Sequence, residues 1–210
     1  MDNNFLLVFI LSFIFCLSSC DENRYPIDGE KLSGGYFCRV DGVAILMADN
    51  VFKPSIHGDI KTYSFNEDYI IVKQKPNKES YRYLLSEELM GYRTLLFKDS
   101  SKCTLPEYQF YTTFIITNKD LMKILFSKLS PNHNSEDIQN SLIIADSLIE
   151  NKDEYKSIFE NEINYWIVSH KEANNEEYMP MSKIYGPFDK QAYLRKREEI
   201  GVPQQLQLKE

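Results

Sequence analysis

Cys20 is the residue whose neighbours specify its chemistry most closely. It follows an apolar run over residues 5–17 and then Ser18-Ser19, and it precedes Asp21-Glu22. Its thiol can take a diacylglyceryl thioether, and the small side chains of Ser18 and Ser19 suit a peptidase groove. Cleavage before Cys20 would free an amine that can be acylated in turn. Each buried methylene contributes about 0.8 kcal/mol, and two or more acyl chains hold a protein stably at a membrane.

The length of the apolar run separates the possible readings. Thirteen residues, 5–17, rise only about 20 Å as a helix. That is short of the roughly 30 Å hydrocarbon core, so a transmembrane span is disfavoured. It matches a secretory h-region, and followed by Leu17-Ser18-Ser19-Cys20 it resembles a bacterial lipoprotein signal with its lipobox. Residues 1–4 carry no Lys or Arg, unlike the usual n-region. A start further upstream and a tolerant signal both remain open. Asp21-Glu22 resembles the surface-export signal of Bacteroidota lipoproteins or, as in enteric bacteria, an inner-membrane retention signal; by composition alone it is a solvated acidic linker.

Other reactive side chains give weaker patterns. Cys38 and Cys103 could form a disulfide in an exported domain, or be two separate buried thiols. His57, His133 and His170 have no His or Cys partner at metal-ligand spacing and read as isolated surface or loop residues. The chain contains no G-x-S-x-G elbow, P-loop or G-x-G-x-x-G. Glu87-Glu88, Glu176-Glu177 and Glu198-Glu199 are adjacent in sequence, so each pair diverges rather than facing a common substrate. Arg195-Lys196-Arg197 reads as a solvated helix face. No catalytic residue, metal site or cofactor is expected.

Removing residues 1–19 takes away one charged residue, Asp2, and leaves 24 basic against 30 acidic residues, a net charge of −6. That balance disfavours nucleic acid and electrostatic docking on anionic lipid. The expected division is a signal at 1–19, a tether at 20–34, one domain at 35–203 and a frayed tail at 204–210.

The period of the apolar residues outlines that domain. Strands are expected at 36–40 and 43–47 about an Asp41-Gly42 type I′ turn, and at 60–65 and 69–74 about Asn66-Glu67-Asp68. Further strands are expected at 81–85, 94–98 and 108–117, the last from alternating Tyr108, Phe110, Thr112, Phe114 and Ile116. Helices are expected at 118–129, from Ser135 with Ile138, Leu142, Ala145, Leu148 and Ile149 buried, and around Tyr155, Ile158 and Phe159. Strands return at 163–169 and 183–185, the latter stopped by Gly186-Pro187. A final helix starts at an Asp189 cap and ends at Gly201 and Pro203. The class is therefore α+β, an antiparallel sheet packed with about three helices, one of them C-terminal.

Three stretches in this order carry a resemblance. They are Ile70-Ile71-Val72-Lys73-Gln74-Lys75-Pro76, then Asn164-Tyr165-Trp166-Ile167-Val168, then Ile184-Tyr185-Gly186-Pro187-Phe188 with Tyr193-Leu194-Arg195-Lys196-Arg197 and Val202-Pro203. Over roughly 35–203 the chain resembles a family of small exported domains of unknown function, often lipoproteins of Bacteroidota. The resemblance implies no catalytic residue.

Together these readings predict a protein of the bacterial cell envelope, held by lipid on Cys20, with the outer membrane as the expected site. The domain is expected to be a non-enzymatic binding or accessory module, with an envelope protein or a glycan as partner. The alternative is an envelope hydrolase with an unrecognised site. The chain holds 14 Tyr and 13 Phe but one Trp. Tyr63, Tyr81, Tyr83, Tyr92, Tyr108 and Tyr111 could present a binding face, although strands favour Tyr and Phe for packing alone.

Overall fold

A computed structural model describes residues 29–42, 44–47, 55–97, 115–116, 118–130, 134–171 and 182–209. Cys20, the apolar run, Cys103 and His133 lie outside the described residues, as do Tyr108 and Tyr111. Eight strands form two antiparallel sheets of four. The first joins β1 (Gly29–Lys31), β2 (Tyr36–Arg39), β3 (Ala44–Met47) and β4 (Ile56–His57), in that order. The second joins β5 (Asp59–Phe65), β6 (Tyr69–Lys75), β7 (Asn164–Ser169) and β8 (Lys183–Phe188). The helices are α1 (Lys78–Leu96), α2 (Lys119–Lys128), α3 (Ser135–Asn151), the single turn α4 (Asp153–Lys156) and α5 (Lys190–Glu199). The α+β class and the C-terminal helix hold. Among the described residues no helix is long and apolar enough to cross a membrane.

The second sheet is covered on both faces, which explains why Tyr69-Ile70-Ile71-Val72 is apolar without interruption. Side chains alternate across a strand. Ile70 and Val72, with Trp166 and Val168 of β7, face the larger core, which also takes in Cys38 and Ile45 of the first sheet and Leu85 and Leu89 of α1. Tyr69, Ile71 and Ile167 face the other way, against Tyr193 of α5 and Val202 and Leu206 beyond it. Each such burial contributes roughly 1.5–3 kcal/mol relative to exposure.

Several sequence expectations are corrected. The first hairpin does not close through a type I′ turn, which needs positive φ at two residues. Among the described residues only glycines have positive φ. Gly42, at φ 67°, donates its N–H to the Arg39 carbonyl at 2.9 Å. The second hairpin does follow expectation. The Asn66 side chain accepts from the N–H groups of Asp68 and Tyr69 at 3.0 and 2.8 Å.

Helix α1 takes up 81–85 and 94–96, where strands were expected at 81–85 and 94–98, and Lys98 lies outside the described residues. The Asn77 side chain accepts the Ser80 N–H at 3.1 Å, and its carbonyl accepts the Tyr81 N–H at 2.9 Å. Tyr81, Tyr83 and Leu85 alternate like a strand, but the buried residues are Tyr81, Leu84, Leu85 and Leu89, while Tyr83 is exposed. Spacing of three and four won because a capped start lay directly upstream. The strand expected over 108–117 falls mostly outside the described residues, but Ile115 and Ile116 near its end are helical and exposed.

The cap of α3 is Asn134, not Ser135. Its side chain accepts the Asp137 N–H while Asp137 accepts the Asn134 N–H, a reciprocal capping box. The buried stripe is rotated accordingly. Asp137, Ser141, Ile144, Ala145, Leu148 and Ile149 face inward, and Ile138 is exposed. The inward acid explains the shift, since Asp137 is the partner of a buried arginine on α1.

Strand β8 runs through Gly186-Pro187 instead of stopping there. It is an edge strand, where proline removes no ladder bond. Tyr165 pairs with Phe188 and Ile167 with Tyr185, so Gly186 and Pro187 together oppose Trp166 in a bulge. Asp189 caps α5 by accepting the Ala192 N–H at 2.7 Å, as expected.

Residues 29–31, expected in the tether, form β1, which pairs with β2 from Gly29 opposite Arg39 to Lys31 opposite Phe37. The tail is packed rather than frayed, with Leu206 buried against the second sheet. Arg197, expected on a solvated face, is buried and donates to the carbonyls of Pro203 at 3.1 Å and Leu206 at 2.6 Å.

Candidate functional site

Cys38 lies on β2 facing the larger core and carries a free, buried thiol. Burial pushes that thiol above its ordinary pKa, which keeps it protonated and unreactive. Cys103, the partner considered for it, lies outside the described residues. Among the described residues no group of three or more His, Cys, Asp or Glu could hold a metal.

Of the expected aromatic face, the described residues leave one tyrosine exposed. Tyr81 is buried, Tyr63 and Tyr92 are half-buried, and Tyr83 is 57% exposed. Tyr83 borders an open groove of about 450 Å³ between the β2–β3 hairpin and α1. Arg39 and Asp41 enter it from the hairpin, Arg82 and Tyr83 from α1, and Leu142 from α3. Arg39 donates to Asp41 at 2.9 Å, and Arg82 Nε to Asp146 at 2.6 Å. Each guanidinium is thus turned toward a neighbouring carboxylate. Glu87, one turn along α1, raises the Tyr83 phenol pKa by its charge and by a hydrogen bond. The hydroxyl is thus occupied at one end while the ring stays exposed.

His57 is not the isolated surface residue its sequence context suggests. It is 3% exposed at the end of β4, and its Nε2 lies 3.0 Å from Glu88 Oε1 on α1. That is ion-pair distance, though the atoms are out of line for a hydrogen bond. Tyr81 packs edge-on against the imidazole at 5.2 Å between centroids. Burial first, with neighbouring charges such as Glu88 second, raises the phenols of Tyr81, Tyr92 and Tyr155, the last to about 12. The pair fastens the first sheet to α1 inside an aromatic wall.

His170 is the other departure. It follows β7, and its N–H donates to the Asp68 carbonyl at 2.8 Å, beside the β5–β6 turn. Its Nε2 lies 2.9 Å from Ser33 Oγ, and its Nδ1 lies 2.7 Å from Ser182 Oγ. Ser33 opens the 3₁₀ turn Ser33–Gly35 between β1 and β2, and Ser182 directly precedes β8. Gly34 lets the imidazole approach. A Cβ there would meet its Cε1 at 2.4 Å, and φ is +61°. Tyr36 lies alongside, with ring centroids 6.0 Å apart. Burial pushes the Tyr36 phenol up to about 12, while the Ser182 hydroxyl beside it acts in the opposite direction.

If Nδ1–H donates to Ser182, then Nε2 is left to accept the Ser33 proton. Sequence reasoning missed this cluster because Ser33 and His170 are 137 positions apart. The only local signal was Ser33-Gly34-Gly35, which read as the end of a tether. No family model, curated protein or solved structure matches this chain, so a functional reading stands on its own residues.

Proposed function

We propose that this chain is a lipid-anchored protein of the bacterial cell envelope whose α+β domain binds a glycan in the groove beside Tyr83. The exposed Tyr83 ring, held by Glu87 next to the guanidinium groups of Arg39 and Arg82, carries the binding half of the reading. An aromatic face packs on the C–H face of a sugar ring, and guanidinium and carboxylate groups bond paired hydroxyls. Such aromatic and arginine anchors often dominate binding energy. The test is glycan-array screening of the full chain, followed by titration calorimetry on any hit. Tyr83→Ala should weaken binding at least tenfold, the equivalent of about 1.4 kcal/mol. Binding to no glycan, or binding indifferent to Tyr83, would reject the groove.

The pattern ending at Cys20 supports the anchoring half. Nine steps separate Cys20 from Gly29, where β1 begins, and they reach about 30 Å when fully extended. A domain so tethered stays close to its membrane. Metabolic labelling with an alkyne fatty acid should mark the protein in its native host and leave Cys20→Ala unmarked. Equal labelling of both would refute lipidation at this residue.

A further inference from the structure

We infer that Ser33 is the nucleophile of an acyl-transfer site that takes carboxylic esters, with His170 as its base and Ser182 as the positioning residue for His170. This goes beyond the binding reading and uses none of the groove residues.

The geometry supplies the parts such a site needs. A nucleophile and its base must lie within about 2.6–3.2 Å, with the base oriented by a third group. Ser33 Oγ to His170 Nε2 is 2.9 Å, and His170 Nδ1 to Ser182 Oγ is 2.7 Å. The two serines hold both ring nitrogens, and Asp68 holds the His170 backbone. Tyr36 flanks the ring, and Gly34 lets the turn close upon it. Ser33 and His170 are half-buried and Gly34 and Gly35 are exposed, so an ester can approach from the glycine side. The residue after a nucleophile commonly supplies an oxyanion-hole N–H, and here that residue is Gly34.

The reaction balances with water as the only co-reactant. Ser33 Oγ attacks the ester carbonyl carbon while its proton passes to His170 Nε2. The tetrahedral intermediate collapses, the C–O bond to the alcohol breaks, and His170 returns the proton to the departing alkoxide. Water, giving a proton to His170, then attacks the acyl carbon; the bond from that carbon to Ser33 Oγ breaks, His170 returns the proton to Oγ, and the carboxylic acid leaves. A neutral hydroxyl at Nδ1 fixes the tautomer but does not offset the imidazolium charge as a carboxylate would. Activated esters rather than amides are therefore the substrate class.

The full chain in detergent would be treated with a fluorophosphonate probe and followed by intact mass and peptide mapping. One adduct, on Ser33, is expected. His170→Gln should slow its formation at least about 100-fold, the lower range for loss of a general base. Ser182→Ala should slow it and Ser182→Thr restore it, which a purely structural contact would not do. Circular dichroism confirms the folding of each variant. Should His170→Gln fail to fold, Ser33→Ala in a p-nitrophenyl acetate assay decides instead, with loss of hydrolysis expected. No adduct on the folded wild type, an adduct elsewhere, a rate indifferent to His170, or hydrolysis unchanged in Ser33→Ala would overturn the assignment.

Discussion

The Arg93 guanidinium lies 3.5 Å from the Asp137 carboxylate with both side chains buried, 7% and 2% exposed. Arg93 Nε also donates to the Ser130 carbonyl at 2.7 Å, and Asp137 Oδ1 accepts the Ser130 N–H at 2.8 Å. Asp137 belongs to the capping box of α3 as well. One carboxylate thus joins α1, the end of α2 and the start of α3. Removing one partner of a buried pair strands the other charge, at a cost of about 3–5 kcal/mol. Asp137→Ala should lose that much stability in urea titration, whereas Asp146→Ala, at the half-exposed pair with Arg82, should lose no more than about 1 kcal/mol. Equal losses would refute the ranking.

Gln74 is fully buried at the junction of the two sheets. Its Oε1 accepts from Trp166 Nε1 at 2.8 Å and Asn164 Nδ2 at 3.1 Å, and its Nε2 donates to the His57 carbonyl. Gln74→Leu would leave the Trp166 donor and the His57 carbonyl without these bonds, at about 1–3 kcal/mol each. A loss of at least about 2 kcal/mol is expected. Trp166 is the one tryptophan, so intrinsic fluorescence reports on this site alone. Its emission should shift in the folded variant, and an unchanged spectrum with unchanged stability would count against the network.

The buried phenols predict a loss of stability in alkali. Tyr36 and Tyr155 rise from an ordinary 10 to about 12 in the folded chain, chiefly through burial. Below pH 10 both are protonated whether folded or not, and their contribution is fully present. Between pH 10 and about 12 the unfolded chain releases protons that the folded chain keeps, so stability falls as pH rises. Melting temperatures across pH 9–12 should decline, and less steeply in Tyr36→Phe/Tyr155→Phe. Identical slopes would remove these two residues from the account.

The C-terminal segment should behave as part of the core. Leu206→Ala should cost about 2 kcal/mol, the low end for a buried leucine, while the exposed Gln205→Ala should stay within about 0.5 kcal/mol. Matching, near-zero effects in thermal melts would restore the picture of a frayed tail.

Some of this architecture was readable from neighbours in the chain. Asn66-Glu67-Asp68 closes its hairpin and Asp189 caps α5, because turns and caps depend on residues within a few positions. The run Tyr69-Ile70-Ile71-Val72 announced a strand for the same reason. Residues 81–85 did not read correctly, since Tyr-Arg-Tyr-Leu-Leu fits either period. Asn77 upstream and the core around Leu85 and Leu89 decided for a helix. Arg197 and Leu206 read as polar face and loose end because nothing nearby shows that the tail folds back onto β6.

From its residues alone the chain specifies what local chemistry can specify: an acidic balance, local turns and caps, and an α+β order of strands and helices. The tertiary structure decided which side chains meet. Ser33, His170 and Ser182 come together only because β1–β2, β7 and β8 converge, and Tyr83 faces its groove while Tyr81, two residues before it, turns inward. Long-range pairing of this kind is set by packing two sheets against helices, and no spacing along the chain encodes it.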